Sequence, residues 1–507
     1  MVINQLRAGT FLSYVLIGLN TLIGLLYTPF LLRMLGQSEY GLYSLAASVI
    51  AYLTVLDLGF GNAIVRYTAK FRAEGRKEEQ YEMFGMFFLL YIGISLIAFI
   101  LAMVLAFNTN AIFSAKMTGS EIQKMRIILI LMAFNLAFTF PMSIWGSIIT
   151  AYENFVFQKL VNIVRTILNP LVMVILLLMG YKVIALVVVT TLFNVATLVI
   201  NCIYCYQKLG VKLRFRRFKW SFLKEVSLYS FWVFLNAITE QIYWSAGQFI
   251  LGIYQGAVAV AIYAIAIQLK NLYYMFSTAV SSVFLPKVTA MVTKGTSDEE
   301  ISNLFIKTGR IQFVVMAYIL TGFILLGRPF IYLWAGSEYD NSYEIALLFF
   351  LATLIPLIQN MGINILMAQN RMKFRSLLIL FASAGSLVIA IPFSIYWGPK
   401  GCAVATSIAI IFAYGLVMNI YYKKKIHIDI RRFWKEIGRM SIVPIFIVGF
   451  GLYVMSYLCI DNIKTFILSV IILTVVYVPL FYQFSLNMYE RSLIVGFIKK
   501  VKCKFNF

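Results

Sequence analysis

The chain has 507 residues, of which 62% are hydrophobic and 12% charged, with a net charge of +23 and a mean hydropathy of +0.87. Soluble domains carry about 25% charged residues, so this composition excludes an ordinary soluble protein. Continuous apolar runs of about 20 residues recur along the chain and are typical of helices that cross a bilayer, not of barrel strands. The sequence therefore predicts an all-α polytopic membrane protein.

Taken in chain order, the apolar runs predict about 14 transmembrane helices. Their approximate bounds are 10–32, 41–64, 83–107, 126–150, 160–180, 183–206, 226–251, 257–285, 310–335, 344–367, 376–397, 400–422, 440–460 and 465–486. The first run is long enough to remain as a membrane helix and lacks the pattern of a cleaved signal peptide. All the connecting segments are short, so we expect no soluble domain.

Lysine and arginine residues are concentrated in alternate connecting segments. Most lie in or near 66–77, 207–224, 423–439 and the segment after 490. The positive-inside rule assigns these segments, and with them both termini, to the cytoplasm. It also accounts for the net charge without a nucleic-acid partner. The segments 207–224 and 423–439 are basic enough to contact anionic lipid head groups.

Weak internal similarities relate helices that lie six apart. PMSIWGSIITAYENFVFQK, from Pro141, resembles PLIQNMGINILMAQNRMKFR, from Pro356, and the first predicted helix resembles the seventh. An even separation gives the two halves the same orientation, as in transporters built from parallel repeats. The predicted organisation is an N-lobe of six helices at 1–206, a basic cytoplasmic linker at 207–224, a C-lobe of six helices at 225–422, a basic cytoplasmic loop at 423–439, and two further helices with a basic tail at 440–507.

Three ionisable side chains fall deep within predicted helices, namely Asp57, Glu240 and Lys270. Such residues are costly in hydrocarbon and indicate function by default. We expect Lys270, helped by Arg66 at the inner mouth, to attract an anionic substrate such as a phosphate. Asp57 and Glu240 are candidates for binding a coupling proton or sodium ion. The alternative is that Lys270 pairs with Glu240 as a structural salt bridge.

Polar and aromatic residues on the same helices extend this candidate cavity. Asn20, Asn236 and Gln241 either hydrogen-bond sugar hydroxyls or cross-link helices. Tyr273 and Tyr274 follow Lys270 by about one helical turn, and they form either a wall for sugar stacking or part of the interfacial aromatic belt.

Other reactive residues have simpler explanations. Glu153 and Arg165 are expected near the inner surface, where long side chains reach water. Cys202 and Cys205 form a C-x-x-C motif at the end of an apolar helix, and His427 is the chain's single histidine. A structural zinc site needs four such ligands, so the two cysteines are expected to serve helix packing. We therefore expect no metal site and no cofactor. Coupling of transport to a proton or sodium gradient is expected instead.

Residues 56–67, LDLGFGNAIVRY, contain a G-x-G inside the second predicted helix. A dinucleotide-binding turn requires a preceding strand and a longer glycine motif, and both are missing. Gly59 and Gly61 instead predict close helix packing or a local kink. On a continuous helix, Asp57 and Arg66 lie about half a turn apart, so Asp57 needs a neighbouring helix, water or substrate as its partner.

The segments YTPFLLRMLGQSEYGLYSLA and LDLGFGNAIVRY, followed by a basic stretch, resemble the polysaccharide-biosynthesis (Wzx-type) flippases, as do AQNRMKFRSLLIL and GPKGCAVATSIA. These flippases belong to the multidrug/oligosaccharidyl-lipid/polysaccharide exporter superfamily. The resemblance implies two six-helix lobes in a V around a central cavity, lined by helices one, two, seven and eight, plus two C-terminal helices. It also implies a bacterial cytoplasmic (inner) membrane location.

The resemblance further implies that the chain is a transporter and not an enzyme. Its expected substrate is an undecaprenyl-diphosphate-linked oligosaccharide, moved from the cytoplasmic to the outer face by alternating access for O-antigen, capsule or exopolysaccharide synthesis. Membrane lipids, a polymerase and chain-length proteins are the expected partners. Two alternatives stay open: a cation-coupled drug antiporter of the same superfamily, and a membrane polysaccharide polymerase or glycosyltransferase.

Overall fold

The computed structural model describes residues 5–215, 220–282, 288, 290–291, 296–369, 371–458 and 460–492, and the regular secondary structure of these residues is entirely helical. The predicted all-α class is therefore confirmed. Two compact units are present, one of Met1–Ala264 with Leu387–Cys402 and the other of Ile265–Ser386 with Ala403–Phe507. These units divide the chain by its internal contacts near residue 264 and not at the predicted lobe boundaries, 206 and 225. The division into two six-helix lobes and their V-shaped arrangement stay predictions.

The helices before residue 283 are α1 (Gln5–Thr54), α2 (Phe60–Ala73), α3 (Lys77–Phe107), α4 (Thr109–Phe113), α5 (Gly119–Ala151), α6 (Phe155–Leu178), α7 (Val183–Gln207), α8 (Trp220–Tyr254) and α9 (Ala257–Ser282). The helices after residue 295 are α10 (Asp298–Trp334), α11 (Ser342–Ile358), α12 (Met361–Ala368), α13 (Met372–Ile410), α14 (Met418–Lys425), α15 (Ile430–Met455) and α16 (Ile463–Phe484). A π-helical turn, Ile411–Val417, joins α13 to α14.

Ten helical stretches among the described residues are long and apolar enough to cross a membrane, or eleven if the bent pair of α11 and α12 counts as one span. Two of the ten, Ala8–Ala73 and Met372–Lys425, each contain two of the predicted helices. Each predicted helix overlaps a helix of the structure. The total of 14 spans stays a prediction.

Two long helices bend at glycines. In α1 the backbone leaves the helical conformation at Gly36, where φ is 77°, and in α13 it does so at Gly398, where φ is 57°. Positive φ is readily adopted only by glycine, so these residues allow a sharp change of direction. Both lie where the sequence predicts the end of one membrane helix and the start of the next.

Aromatic residues dominate the core of the first unit. Phe84, Phe87 and Tyr91 of α3 are fully buried and pack in one cluster with Ile144 and Trp145 of α5. Close packing of α3 on α5 therefore positions one face of α3 toward the start of α2, which lies in the same cluster.

A buried arginine organises part of the second unit. The guanidinium of Arg310, on α10, donates from Nε to Glu490 Oε1 at 2.6 Å and from Nη1 to Glu436 Oε2 at 2.6 Å. Arg310 and Glu490 are 5% and 4% exposed. Buried charges are tolerated when they are paired and hydrogen-bonded in this way. The cluster joins α10 to α15 and to the segment after α16.

Candidate substrate and ion-binding site

The helix predicted to run through LDLGFGNAIVRY is interrupted. Residues Val55–Asp57 form a 3₁₀ turn, Leu58 and Gly59 have φ of 53° and 73°, and α2 begins at Phe60. The interpretation of Asp57 and Arg66 as two positions on one continuous helix is therefore wrong. The predicted kink at the G-x-G is confirmed, and glycine is the residue that adopts positive φ without strain.

Asp57 stabilises the start of α2. Its carboxylate accepts hydrogen bonds from the backbone N–H groups of Gly59 and Gly61. These N–H groups have no partner within the new helix, because the first turn of any helix leaves its donors unsatisfied. A carboxylate at this position also interacts favourably with the positive end of the helix dipole.

A second helix holds the same carboxylate. The hydroxyl of Tyr91, on α3, donates to Asp57 Oδ1 at 2.7 Å, and Tyr91 is fully buried. Its ring stacks on Phe140 at 6.4 Å and meets Phe60 edge-on at 6.5 Å. The sequence leaves a neighbouring helix, water or substrate as the partner of Asp57, and in the structure Tyr91 of the neighbouring helix α3 is that partner. The coupling-ion role of Asp57 stays a prediction.

Gly61 allows α2 to approach α5. A Cβ atom at Gly61 would lie 3.3 Å from Ser147 Oγ, closer than most Cβ contacts in proteins. The predicted role of this glycine in close helix packing is thus confirmed.

Two other candidate residues of the cavity, Arg66 on α2 and Asn20 on α1, have exposed side chains. The guanidinium of Arg66 lies 6.0 Å from the ring of its neighbour Tyr67.

The candidates on α8 make contacts one helical turn away. Trp244 Nε1 donates to Glu240 Oε2 at 3.0 Å, and Ser245 Oγ donates to Gln241 Oε1 at 2.8 Å. Glu240 is exposed, and the side chain of Asn236 lies outside the described residues. Helix α8 packs against α1 and against the turn that contains Asp57. Asp57 and Glu240 therefore lie on elements that pack together.

The candidates on α9 differ in exposure. Lys270 is 4% exposed and lies 13 residues from the start of α9, about 20 Å along the axis. Tyr273 is 1% exposed, stacks on Phe350 at 4.3 Å, and donates its hydroxyl to Met316 O at 3.2 Å. Tyr274 is 39% exposed, so its ring is the one accessible for stacking on a sugar.

Lys270 and Glu240 belong to different compact units of the chain, Glu240 to the first and Lys270 to the second. The two explanations offered for this pair, a substrate-binding cation and a structural salt bridge, both stay predictions. The buried state of Lys270 adds a physical constraint, because an ammonium group is kept inside a protein only by polar partners or water.

Arg165 lies further from the start of its helix than the sequence predicts, and its expected place near the inner surface stays a prediction. Helix α6 begins at Phe155, five residues before the predicted start, so Arg165 lies about 15 Å along the axis and near the middle of the helix. Its Nη1 donates to Asn194 Oδ1 at 3.0 Å, and Asn194 Nδ2 donates to Asn135 Oδ1 at 2.7 Å. A charged residue in the middle of an apolar helix is a functional candidate.

The C-x-x-C motif serves packing, as the sequence predicts. Cys205 is fully buried on α7, and its Sγ donates to the carbonyl oxygen of Trp145 at 3.5 Å. Cys202 is partly exposed one turn away.

Comparison with known sequences identifies relatives of this chain. The family model described as "Polysaccharide biosynthesis protein" matches residues 6–292. The uncharacterized membrane protein EpsK of Bacillus subtilis (strain 168) is 20% identical over 412 residues, which is 80% of this chain and 81% of EpsK.

Solved structures with a similar fold are membrane transporters. Lipid II flippase MurJ in an inward closed conformation has a TM-score of 0.72 at 17% identity, covering 94% of this chain and 98% of MurJ. An inward-facing multidrug resistance MATE family transporter of the MOP superfamily has a TM-score of 0.66 at 14% identity. The match covers 82% of this chain and 95% of the transporter's chain. At these identities the likeness establishes the polytopic helical fold.

Proposed function

Because the chain belongs to the polysaccharide biosynthesis protein family, we propose that it is a flippase for undecaprenyl-diphosphate-linked oligosaccharides. It moves each repeat unit from the cytoplasmic to the outer face of a bacterial cytoplasmic membrane by alternating access. The product enters O-antigen, capsule or exopolysaccharide synthesis, where a polymerase and chain-length proteins use it. Both termini face the cytoplasm in this proposal.

Cationic residues in the middle of long apolar helices are the observation that carries the proposal. Lys270 lies in the middle of α9 and Arg165 in the middle of α6. Because a cation in hydrocarbon is costly, its presence calls for a function. A diphosphate carries negative charge that must be shielded on its way across, and Lys and Arg are the side chains that bind phosphate best.

An apolar groove in the second unit supports a lipid-linked substrate. It is lined by Leu325 of α10, by Phe446 and Phe450 of α15, and by Ile472 and Val476 of α16. In our proposal this groove holds part of the isoprenoid tail while the head group crosses. The exposed residues Asn20 and Arg66, the half-buried Gln241 and the exposed ring of Tyr274 are the proposed contacts for the sugars and the phosphate, and Asn236 stays a candidate from the sequence.

Asp57 and Glu240 are the proposed coupling groups. A proton on Asp57 would weaken its hydrogen bonds from Tyr91 and from the start of α2, because a neutral carboxyl is a poorer acceptor than a carboxylate. Ion binding at Asp57 is thereby linked to the arrangement of α2 against α3. Glu240, on the helix that packs beside the same turn, is the second proposed acid.

Loss of surface polymer tests the proposal in cells. We expect Lys270→Ala to abolish surface polysaccharide and to leave the lipid-linked repeat unit accumulated, because the diphosphate loses its cation. Lys270→Arg should retain partial export. The matched control is Lys464→Ala, an exposed lysine in the first turn of α16. Normal polymer in the Lys270→Ala strain, with the protein inserted at wild-type level, would contradict the proposed role.

The likeness to a multidrug transporter keeps a second candidate function, cation-coupled export of small molecules. Deletion of the gene distinguishes the two. Loss of the flippase removes surface polymer without changing drug tolerance, whereas loss of a drug antiporter lowers drug tolerance and leaves polymer intact. Family membership argues against the polymerase and glycosyltransferase alternatives.

A further inference from the structure

A basic pocket lies at the junction between the start of α13 and the end of α14, in the second unit. Its volume is about 600 Å³, which is within the range of small-molecule sites. Five of its lining residues carry cationic or titratable basic groups, namely Arg371, Lys373, Lys424, Lys425 and His427. None of the described lining residues is acidic, so the pocket favours an anion.

Hydrogen bonding fixes the two walls of this pocket. Arg371 precedes the first residue of α13, and its Nη1 donates to the carbonyl oxygen of Lys425, the last residue of α14, at 2.7 Å. The bond satisfies a carbonyl that a helix end would otherwise leave without a partner. The N-terminus of α13 therefore opens at the pocket, where its dipole adds positive partial charge.

Buried neighbours hold the third wall. Ile426 and Ile428 are each 2% exposed and anchor the segment after α14 in the core. The backbone N–H of Ile428 also donates to the carbonyl oxygen of Tyr422 at 3.0 Å. The residue between the two isoleucines, His427, has a φ of 58° and an exposed side chain that lines the pocket.

The remaining lining is aromatic. Phe374 of α13 and Tyr421 of α14 also line the pocket, and their rings stack at 4.2 Å with an angle of 7° between their planes. The pocket therefore combines a cationic rim with an aromatic surface shared by both helices.

Exposed apolar side chains continue from the pocket along both helices. Phe374, Leu377 and Phe381 are 39%, 42% and 72% exposed and lie on one face of α13, because residues three and four apart share a helix face. Ile420 of α14 and Leu416 of the π-helical turn are 47% and 53% exposed and lie four residues apart, so they form a second exposed apolar pair close to Tyr421 in the chain. This pattern, a cationic pocket at the end of an apolar stripe, matches an amphiphile with an anionic head.

We propose that this pocket binds the phosphate-bearing head group of an anionic membrane phospholipid. Lys373, Lys424 and Lys425 contact the phosphate, and the acyl chains lie on the apolar stripes of α13 and α14. The lipid is a resident ligand of the second unit. The assignment stands independently of the substrate that the chain transports.

Lipid binding by the purified full-length protein in detergent tests the assignment. The probes are phosphatidylglycerol, phosphatidylcholine with the same acyl chains, and inorganic pyrophosphate, and the readout is bound lipid by native mass spectrometry. The pocket variant is Lys424→Gln with Lys425→Gln, which leaves the backbone carbonyl that Arg371 contacts. The control is Lys423→Gln with Arg431→Gln, which removes two positive charges from exposed residues that do not line the pocket.

We expect the wild type and the control to bind phosphatidylglycerol in preference to phosphatidylcholine. The pocket variant should bind it about tenfold more weakly or worse, as expected from the attraction of each basic residue to anionic lipid. Lys373→Gln, on another wall, should weaken the same binding. If the control variant lost as much phosphatidylglycerol binding as the pocket variant, the loss would reflect the protein's total positive charge and not this pocket, and the proposal would be overturned. Displacement of the lipid by equimolar pyrophosphate would assign the pocket to a soluble phosphate instead.

Discussion

Tyr91 donates a 2.7 Å hydrogen bond to Asp57, and this contact joins α3 to the break before α2. Because the ring of Tyr91 is fully buried, the hydroxyl has a fixed position. The same carboxylate accepts from the backbone at the start of α2. One acid thus links the helix break to the core of the first unit.

Removal of the tyrosine hydroxyl tests the structural part of this link. We expect Tyr91→Phe to destabilise the protein by about 1–3 kcal/mol, because a hydrogen bond to a partly buried charged group is lost. Thermal unfolding of the purified protein measures the change. The control Tyr396→Phe removes a hydroxyl from a residue that is 81% exposed and should leave the midpoint unchanged. Equal midpoints for Tyr91→Phe and the wild type would show that the bond contributes little.

Removal of the charge tests the coupling role. Asp57→Asn keeps the size of the side chain but loses the group that would bind a proton or sodium ion. We expect transport by this variant to become insensitive to proton and sodium gradients, as measured in reconstituted vesicles. Asp461→Asn, an exposed acid between α15 and α16, is the control and should respond like the wild type. A retained gradient response in Asp57→Asn would assign the coupling to another residue, with Glu240 the next candidate.

The buried arginine cluster gives a prediction about stability. Arg310→Ala leaves Glu490 without its cation in a buried setting, and the loss of one partner of a buried ion pair costs about 3–5 kcal/mol. Arg328→Ala is the matched control, because Arg328 is paired with Asp340 and Glu344 but its side chain is 58% exposed. Exposed pairs contribute about 0–1 kcal/mol. Comparable unfolding midpoints for the two variants would contradict the structural role of the cluster.

Membrane topology is open to labelling. In a background without the native cysteines, a cysteine at Gly119 should react with an impermeant reagent added outside the cell, and one at Lys212 should react only after the membrane is opened. The prediction follows from the excess of basic residues near Lys212. The reverse pattern would invert the chain and place both termini outside.

The sequence was sufficient for the helical class and for the main breaks. Hydropathy located the helices, and the bends at Gly36 and Gly398 lie between predicted helices because glycine tolerates positive φ. These features are local, so composition and periodicity reveal them.

Composition and periodicity do not reveal contacts between helices that are distant in the sequence. The partner of Asp57 is 34 residues away, and Tyr91 is one of many aromatic residues on apolar helices. The sequence predicts Arg165 nearer to the start of its helix than the structure has it, because the apolar run begins later than α6, which starts with the less apolar segment from Phe155. Arg310 is the first residue of the predicted helix at 310–335, although in the structure it is buried well inside α10, which begins at Asp298.

Transport of the lipid-linked substrate by the purified protein is the most direct test of the central claim. The wild-type chain and Lys270→Ala are reconstituted into vesicles with an undecaprenyl-diphosphate-linked oligosaccharide, and an enzyme outside the vesicles reports the substrate that reaches the outer leaflet. We predict that the wild type exposes substrate well above protein-free vesicles and that Lys270→Ala remains at their level. No exposure by a folded wild-type protein, with its native repeat unit and either ion gradient supplied, would contradict the proposed function.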